Sequence, residues 1–197
     1  MSDRYHICVF CGSAVGQGDV YHEAARRVGW SIGRLGLGLV YGGGRIGLMG
    51  VVADAALEAG APVLGVIPEP LLTKELAHAG LTELAVVPGM HERKALMATR
   101  ASAFLVLPGG IGTFEEFFEV LTWAALGLHN KPIGILNVNG YYDPLLRLLD
   151  HAVTEKFLRP NHLDLILVSD DPDGLVALLP QVQPPPPGPL WIDLERS

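Results

Sequence analysis

The sequence predicts an α/β fold, a doubly wound parallel sheet with helices on both faces. Short apolar runs alternate with segments of helical period along the whole chain. The runs are apolar at successive positions, as strands buried on both faces are, rather than at every second one. Most of them stop at glycine or proline, and a helix-period segment follows. Repeated strand–helix units of this kind assemble into a parallel sheet covered on both sides.

The elements follow in order. Ile7 to Phe10 is the first strand. Val20 to Leu35 is a helix, with Ala24, Val28, Ile32 and Leu35 at helical spacing. Leu37 to Tyr41 is a strand. Gly47 to Ala59 is a helix ended by Gly60, since the residue after a last turn is often left-handed and then favours glycine. Pro62 to Ile67 is a strand stopped by Pro68. Glu69 to Gly80 is ambiguous and reads as a loop with one or two helical turns. Leu84 to Val87 is a short strand, Met90 to Ser102 a helix, and Phe104 to Leu107 a buried strand. Thr113 to Leu126 is a helix closed by Gly127. Ile133 to Asn137 is a strand, and Tyr142 to Glu155 a helix opened by Asp143-Pro144. Leu165 to Val168 and Gly174 to Leu179 add a last strand and a last short helix.

The chain has 197 residues, 49% hydrophobic and 18% charged, which is enough to bury one sizeable core. One domain is expected over residues 1–180, followed by a tail over 181–197 that is proline-rich from Gln183 to Pro189. That tail reads as loose, although Trp191 and Ile192 offer anchors on the domain or on a partner subunit. The net charge of −7 and the lack of a basic stripe argue against a nucleic-acid polymer as partner. A small anionic ligand stays open, because a few local donors outweigh a weak global field. The apolar run from Tyr5 to Cys11 is too short for a signal peptide or a membrane span, so the cytoplasm is the expected location.

Cys8 and Cys11 form a C-x-x-C pair. In a strand their odd spacing sends the two thiols to opposite faces, and no second pair completes a zinc site. No metal is expected.

Ligands of parallel α/β sheets sit beyond the carboxyl ends of the strands, so the loops that follow strands carry the function. Three are glycine-rich. The most informative is Pro108-Gly109-Gly110-Ile111-Gly112-Thr113-Phe114-Glu115-Glu116. Glycines there leave backbone N–H groups unobstructed, and the helix that follows adds a partial positive charge at its N-terminus. Together they form an anion site sized for a phosphate. Thr113 adds a hydroxyl. No Gly-Lys-[Ser/Thr] occurs, so this is not a Walker loop. Thr113 to Glu116 also reads as a T-x-x-E capping box. Capping and catalysis are both open to Glu116, and one does not exclude the other.

The loop Gly42-Gly43-Gly44-Arg45-Ile46-Gly47 matches G-x-G-x-x-G, with Glu69 lying 22 positions after Gly47. A dinucleotide fingerprint normally follows the first strand, however. A second phosphate or ribose contact through Gly43 and Gly44, or close helix–sheet packing, is favoured over it. Cys11-Gly12-Ser13 offers Ser13 and backbone amides to the same ligand. In the helix from Met90, Arg93, Met97 and Arg100 share a face. Arg93 is there either a surface charge or a reach over the site. His91-Glu92 is no H-E-x-x-H motif, since Ala95 stands at the second His position.

These segments, in order, resemble the LONELY GUY family of cytokinin-activating phosphoribohydrolases, long labelled lysine decarboxylases. The matching segments are Cys11-Gly12-Ser13, Tyr41-Gly42-Gly43-Gly44, Gly47-Leu48-Met49-Gly50, Met90-His91-Glu92-Arg93-Lys94 and the P-G-G-x-G-T-x-x-E run from Pro108 to Glu116. The resemblance spans Ile7 to Phe157. It implies a Rossmann-like homodimer that hydrolyses N6-substituted adenosine 5'-monophosphates to the free base and ribose 5-phosphate, without a cofactor. It implies that Arg93 and Glu116 are catalytic. It also implies that Glu75, Lys94, Gly109, Gly110, Ile111, Gly112, Thr113 and Thr122 line the substrate pocket.

Three other readings compete. A decarboxylase would need pyridoxal phosphate and a Schiff-base lysine, and only Lys74, Lys94, Lys131 and Lys156 are present. A nucleotide or cofactor carrier would need the glycines but not Arg93 and Glu116. A general AMP nucleosidase would differ only in its tolerance around N6.

Overall fold

The described residues fold around seven parallel strands in the order β4-β3-β2-β1-β5-β6-β7. The computed structural model describes residues 4–72 and 77–183. The strands are β1 (His6–Phe10), β2 (Gly38–Tyr41), β3 (Val63–Pro68), β4 (Glu83–Val87), β5 (Ala103–Val106), β6 (Ile133–Leu136) and β7 (Ile166–Ser169). Between them run α1 (Asp19–Arg34), α2 (Gly47–Glu58), α3 (Met90–Arg100), α4 (Ile111–Ala125), α5 (Asp143–Thr154) and α6 (Pro172–Leu178). The expected doubly wound parallel sheet is thus present, and each expected strand and helix has a counterpart.

Strand alternation divides the core into two layers. Ile7, Val9, Leu39, Tyr41 and Leu105 face α1, α2 and α6. Cys8, Phe10, Val40, Phe104, Val106 and Ile133 face α3, α4 and α5. The central strands are buried at every position but His6, whereas every residue of the edge strand β4 is exposed or half-buried. Gly60 and Gly127 take positive φ of 83° and 72° after α2 and α4, as their helix-ending role requires. The ambiguous stretch after β3 makes one short turn, Glu69–Leu71, and Ala77 then bridges back to Gly44.

The chain winds outward from β1 to β4 and returns through α3 to β5 on the other side of β1. The switch point of the sheet therefore lies between β1 and β5. The loops after these two strands are tied together there, because the Gly12 N–H donates to the Pro108 carbonyl at 3.0 Å. The same crossover lays α3 against β1, β2 and β3, which decides where Arg93 goes.

Cys8 and Cys11 point into opposite layers, and both are free and buried. Among the described residues no helix is long and apolar enough to cross a membrane. The tail 184–197, with Trp191 and Ile192, lies outside the described residues.

Candidate active site

A cleft of about 210 Å³ opens at the switch point. The first turn of α4, from Ile111 to Thr113, forms one wall, and Cys11, Gly12 and Ser13 form another. Met49, Arg93 and Glu116 close the remainder.

Helix α4 begins at Ile111 with Gly110 as its N-cap, two residues before the expected start. Thr113 consequently sits inside the first turn and is not a capping residue. The capping-box reading of Thr113 and Glu116 is corrected on this point. An extended Gly110 (φ −97°, ψ −155°) makes the turn into the helix, and Glu116 is turned inward instead. First-turn amides have no intrahelical acceptor and point along the axis, so the amides of Ile111, Gly112 and Thr113 face the cleft mouth. Nothing stands within 4 Å of where a Cβ on Gly110 or Gly112 would lie, so the approach is open. Gly109 admits the Thr113 hydroxyl, which would collide with a side chain there. Tyr142 donates to the Leu107 carbonyl at 2.7 Å and Tyr141 to the Gly109 carbonyl, pinning the loop from behind.

Arg93 and Glu116 are only 7% and 8% exposed. The Arg93 Nε donates to the Val66 carbonyl at 3.2 Å, and Nη2 to the Gly42 carbonyl at 3.3 Å. Its remaining nitrogen, Nη1, lies 3.7 Å from Glu116 Oε1. Two backbone carbonyls, one just after β2 and one within β3, thus compensate the buried cation and aim it, because an unpaired charge at this depth would cost several kcal/mol. Gly42 is required for that seat. A Cβ there would lie 2.0 Å from Arg93 Nη2. The surface-charge alternative for Arg93 does not apply.

The cleft also perturbs its neighbours. Burial raises the Cys11 thiol far above its ordinary value, Glu116 adds to the rise, and Arg93 opposes it. Cys8 is pushed up for the same first reason. Neither thiol is poised as a nucleophile.

The expected site residues divide into two groups. Ser13, Arg93, Gly110, Ile111, Gly112, Thr113 and Glu116 meet at this cleft. Gly109 lines an adjoining, mainly apolar hollow of about 290 Å³ walled by Val15, Tyr21, Leu48 and Tyr141. Gly43 and Gly44 lie aside: a Cβ on Gly43 would press on Val66 and Ile67, and Gly44 pairs with Ala77. Lys94 turns toward α4, where its Nζ meets Glu115 Oε1 at 2.5 Å and Glu119 Oε1 at 3.0 Å. Thr122 bonds its own helix at the Phe118 carbonyl and borders a different hollow. Arg100 leaves the Arg93 face and meets Glu83 at 3.7 Å. Glu75 lies outside the described residues. Sequence reasoning missed Met49 and the carbonyls of Gly42 and Val66. Only the run of three glycines hinted at the seat, and a backbone carbonyl carries no signal at all.

Fold and cleft define the class: a Rossmann-like α/β protein with an open helix N-terminus and a buried Arg–Glu pair at its switch point. Residues 49–179 match a family model described as a possible lysine decarboxylase. The chain is 53% identical over 174 residues to the cytokinin riboside 5'-monophosphate phosphoribohydrolase of Rhodococcoides fascians, covering 88% of each chain. It is 48% identical over 178 residues to the enzyme of that name, LOG, from Oryza sativa subsp. japonica, covering 90% of this chain and 74% of that one. The chain belongs to the LONELY GUY family. Its fold is also that of the molybdenum cofactor carrier protein of Chlamydomonas reinhardtii, with a TM-score of 0.69 at 21% identity over 90% of this chain and 97% of that one. A more remote likeness is DNA processing protein A of Streptococcus pneumoniae, with a TM-score of 0.58 at 12% identity over 89% and 62%.

Proposed function

We propose that this protein hydrolyses the N-glycosidic bond of N6-substituted adenosine 5'-monophosphates, releasing the free base and ribose 5-phosphate. The observation that carries the reading is the buried Arg93–Glu116 pair, 3.7 Å apart, beside the open N-terminus of α4. The relatives' printed activity supports it.

In this reading the 5'-phosphate rests on the amides of the α4 first turn and on Thr113. As the C1'–N9 bond breaks, the ribose gains oxocarbenium character, as in glycoside hydrolysis. Glu116 stabilises that charge through the ribose hydroxyls or steers the attacking water. The water oxygen bonds to C1' and its proton passes to the departing base. Arg93, held by two carbonyls, orients the nucleotide and assists the leaving group through Nη1, which lies 3.7 Å from Glu116 Oε1 and 3.9 Å from Met90 Sδ. No metal or cofactor enters the scheme.

Incubation with isopentenyl-AMP and with AMP, followed by chromatography, tests the reading. Free base is expected from the first substrate, and its absence from both with folded protein overturns the enzyme reading. Release from both at equal efficiency makes the protein a general AMP nucleosidase. Tight binding without turnover makes it a carrier. Glu116→Gln should lose turnover by about 100-fold or more, since it deletes the charge offered to the transition state. A decarboxylase is disfavoured because no described lysine lines the cleft: Lys94 is held by carboxylates and Lys131 by the Ala98 carbonyl.

We read residues 1–180 as one catalytic domain working as a homodimer in the cytoplasm. Two free, buried cysteines fit a reducing compartment. The α4–α5 hollow near Thr122, of about 260 Å³ and bordered by exposed Phe118 and Leu126, fits a subunit contact. Sedimentation of Phe118→Lys as a monomer, against a wild-type dimer, is the expected result.

A further inference from the structure

We infer that the surface groove between α1 and α6 docks this chain's own proline-rich tail, with Pro184 to Pro189 on the ring of Trp30 and the acids Asp193 and Glu195 against Arg26 and Arg34. The inference stands apart from the reaction proposed above.

The groove encloses about 660 Å³. Its long wall is the second half of α1, from Arg26 through Trp30 to Arg34 and the capping Leu35, and Ala177 of α6 lines it too. Arg26, Trp30 and Arg34 stand four residues apart, so they form one stripe along the helix. Trp30 is 37% exposed and Leu35 50%, which leaves an aromatic and an aliphatic surface open beside each other. The long arginine stems extend that apolar floor while their charged heads stay in water.

The cations of the groove are engaged to different degrees. Arg27 is held by Asp171 at 3.1 Å and by Asp173. Arg26 gives Nε and Nη2 to Glu23, at 2.8 and 2.7 Å, which leaves Nη1. Arg34 has no ion-pair partner among the described residues and reaches Asp173 only through its field. On a chain of net charge −7 the stripe is locally basic, an indole ring between two guanidinium groups. Proline-rich segments dock into aromatic-lined grooves, because proline arrives with its φ already fixed.

Three features make the tail the occupant. The chain leaves the domain at the groove: the Gln181 Nε2 donates to the Ala177 carbonyl at 2.8 Å, and Pro184 follows three residues later. The composition fits as well. Four prolines, Gly188 and Pro189 lead into Leu190, Trp191, Ile192, Asp193, Leu194 and Glu195, so large apolar groups alternate with acids where the stripe alternates ring and cation. Leaving those apolar groups in water forgoes about 1.5–3 kcal/mol for each that could be buried. Finally, the length suffices. At about 3.1 Å per residue an extended run from Pro184 to Trp191 spans about 25 Å. Arg26 to Arg34 covers about 12 Å of helix. The tail thus reaches every part of the groove, and Gly188 takes up the excess in a turn. A tethered segment meets its site at about millimolar effective concentration, so a contact of only about 0.1 mM as a free peptide is closed about tenfold over open.

The test uses the full chain with a spin label on Arg196→Cys, since Cys8 and Cys11 are buried and stay unlabelled. The readout is the set of three tryptophan indole N–H signals in a nitrogen-15 NMR spectrum, assigned by Trp30→Phe, Trp123→Phe and Trp191→Phe. The Trp30 signal should lose most of its intensity, while that of Trp123, on α4 across the sheet, should keep it. Trp191→Ala and Arg34→Glu should each restore the Trp30 signal with Trp123 unmoved, which shows that the domain is still folded. Joining Arg34→Glu to Asp193→Lys and Glu195→Lys should bring the loss back. A Trp30 signal as strong as without the label, or Trp30 and Trp123 weakened alike, overturns the inference. So does a loss that persists in both Trp191→Ala and Arg34→Glu. In a mixture of spin-labelled chain with unlabelled nitrogen-15 chain, the Trp30 signal should stay strong. Its loss there would give the groove to the tail of a second copy and overturn docking within one chain.

Discussion

Gly42→Ala separates the seat of Arg93 from the stability of the fold. The substitution adds one methyl group at a residue outside the cleft lining. That methyl carbon would lie 2.0 Å from Arg93 Nη2, 3.2 Å from its Cζ and 3.3 Å from Met49 Sδ. Ordinary contact requires about 3.5 Å, so the end of the guanidinium must retreat by about 1.5 Å. The obstructing atom is the tip of a flexible side chain, and the backbone at Gly42 has no left-handed φ to forbid alanine. The fold therefore survives and the arginine moves. Losing the charge-assisted bond to the Gly42 carbonyl costs about 1.5–3 kcal/mol. In a chain of this size that lowers Tm by roughly 3–12 °C. Turnover should fall much further, by about 100-fold, because Nη1 leaves its position opposite Glu116. Base release by chromatography and calorimetric Tm are measured on the same preparation. Turnover within twofold of wild type would refute the claim that the carbonyl seat aims Arg93.

Gly47→Ala should instead be a stability variant. Gly47 has a φ of 62°, and a Cβ there would lie 2.2 Å from the Ser13 carbonyl carbon, which is backbone and cannot swing away. Left-handed strain and overpacking together predict a loss of about 2–5 kcal/mol, read from urea unfolding, and an unchanged midpoint would sink the argument. Both thiols should resist a disulfide reagent in the native protein and react on unfolding, since burial holds Cys8 and Cys11 well above ordinary thiol values. Fast native labelling of either would contradict that. The His129 Nε2–H donates to the Val120 carbonyl at 3.0 Å, and Nδ1 accepts from the Lys131 N–H at 3.1 Å, so a proton on Nδ1 breaks a bond. Burial lowers its pKa and the Lys131 charge lowers it further, against the bond to Val120. The unfolded state then takes up the proton first, so stability is full above about pH 6.5 and is lost as pH falls through the folded value. An NMR titration midpoint at or above 6.5 would be inconsistent with this.

The layered fold was legible because both of its signals are local. Continuous apolar runs mark strands buried on two faces, and Gly60 and Gly127 mark helix ends. The start of α4 was not legible. Its first residue, Ile111, is 86% exposed and so lends no apolar period to the first turn. The T-x-x-E pattern beyond it matched a capping box two residues too late. Lys94 and Thr122 show a second limit. Their types suit a polar pocket, but the direction of a side chain depends on helix phase and on which helix lies alongside. The crossover from β4 through α3 to β5 sets that neighbour, and α4 brings Glu115 and Glu119 to Lys94.

The glycine-rich loops show why composition alone could not separate a phosphate contact from close packing at Gly42 to Gly44. A glycine run suggests amides opened toward an anion, and at Gly110 to Thr113 the geometry has that sense: the N–H groups of a starting helix face outward. The run from Gly42 to Gly44 works with the opposite polarity. Its first member offers a carbonyl to a guanidinium, and the absence of a side chain makes room for that cation. Glycine permits both uses, since it frees N–H and C=O alike. What separates them is chain direction. The end of α4 that faces the cleft is a helix N-terminus, rich in donors, while the residue after β2 and a residue within β3 supply the carbonyls of Gly42 and Val66 beside it. A cleft bounded by donors on one side and by a carbonyl-held cation on the other suits a ligand that brings its own negative charge, with Glu116 the one acid among the described residues that line it.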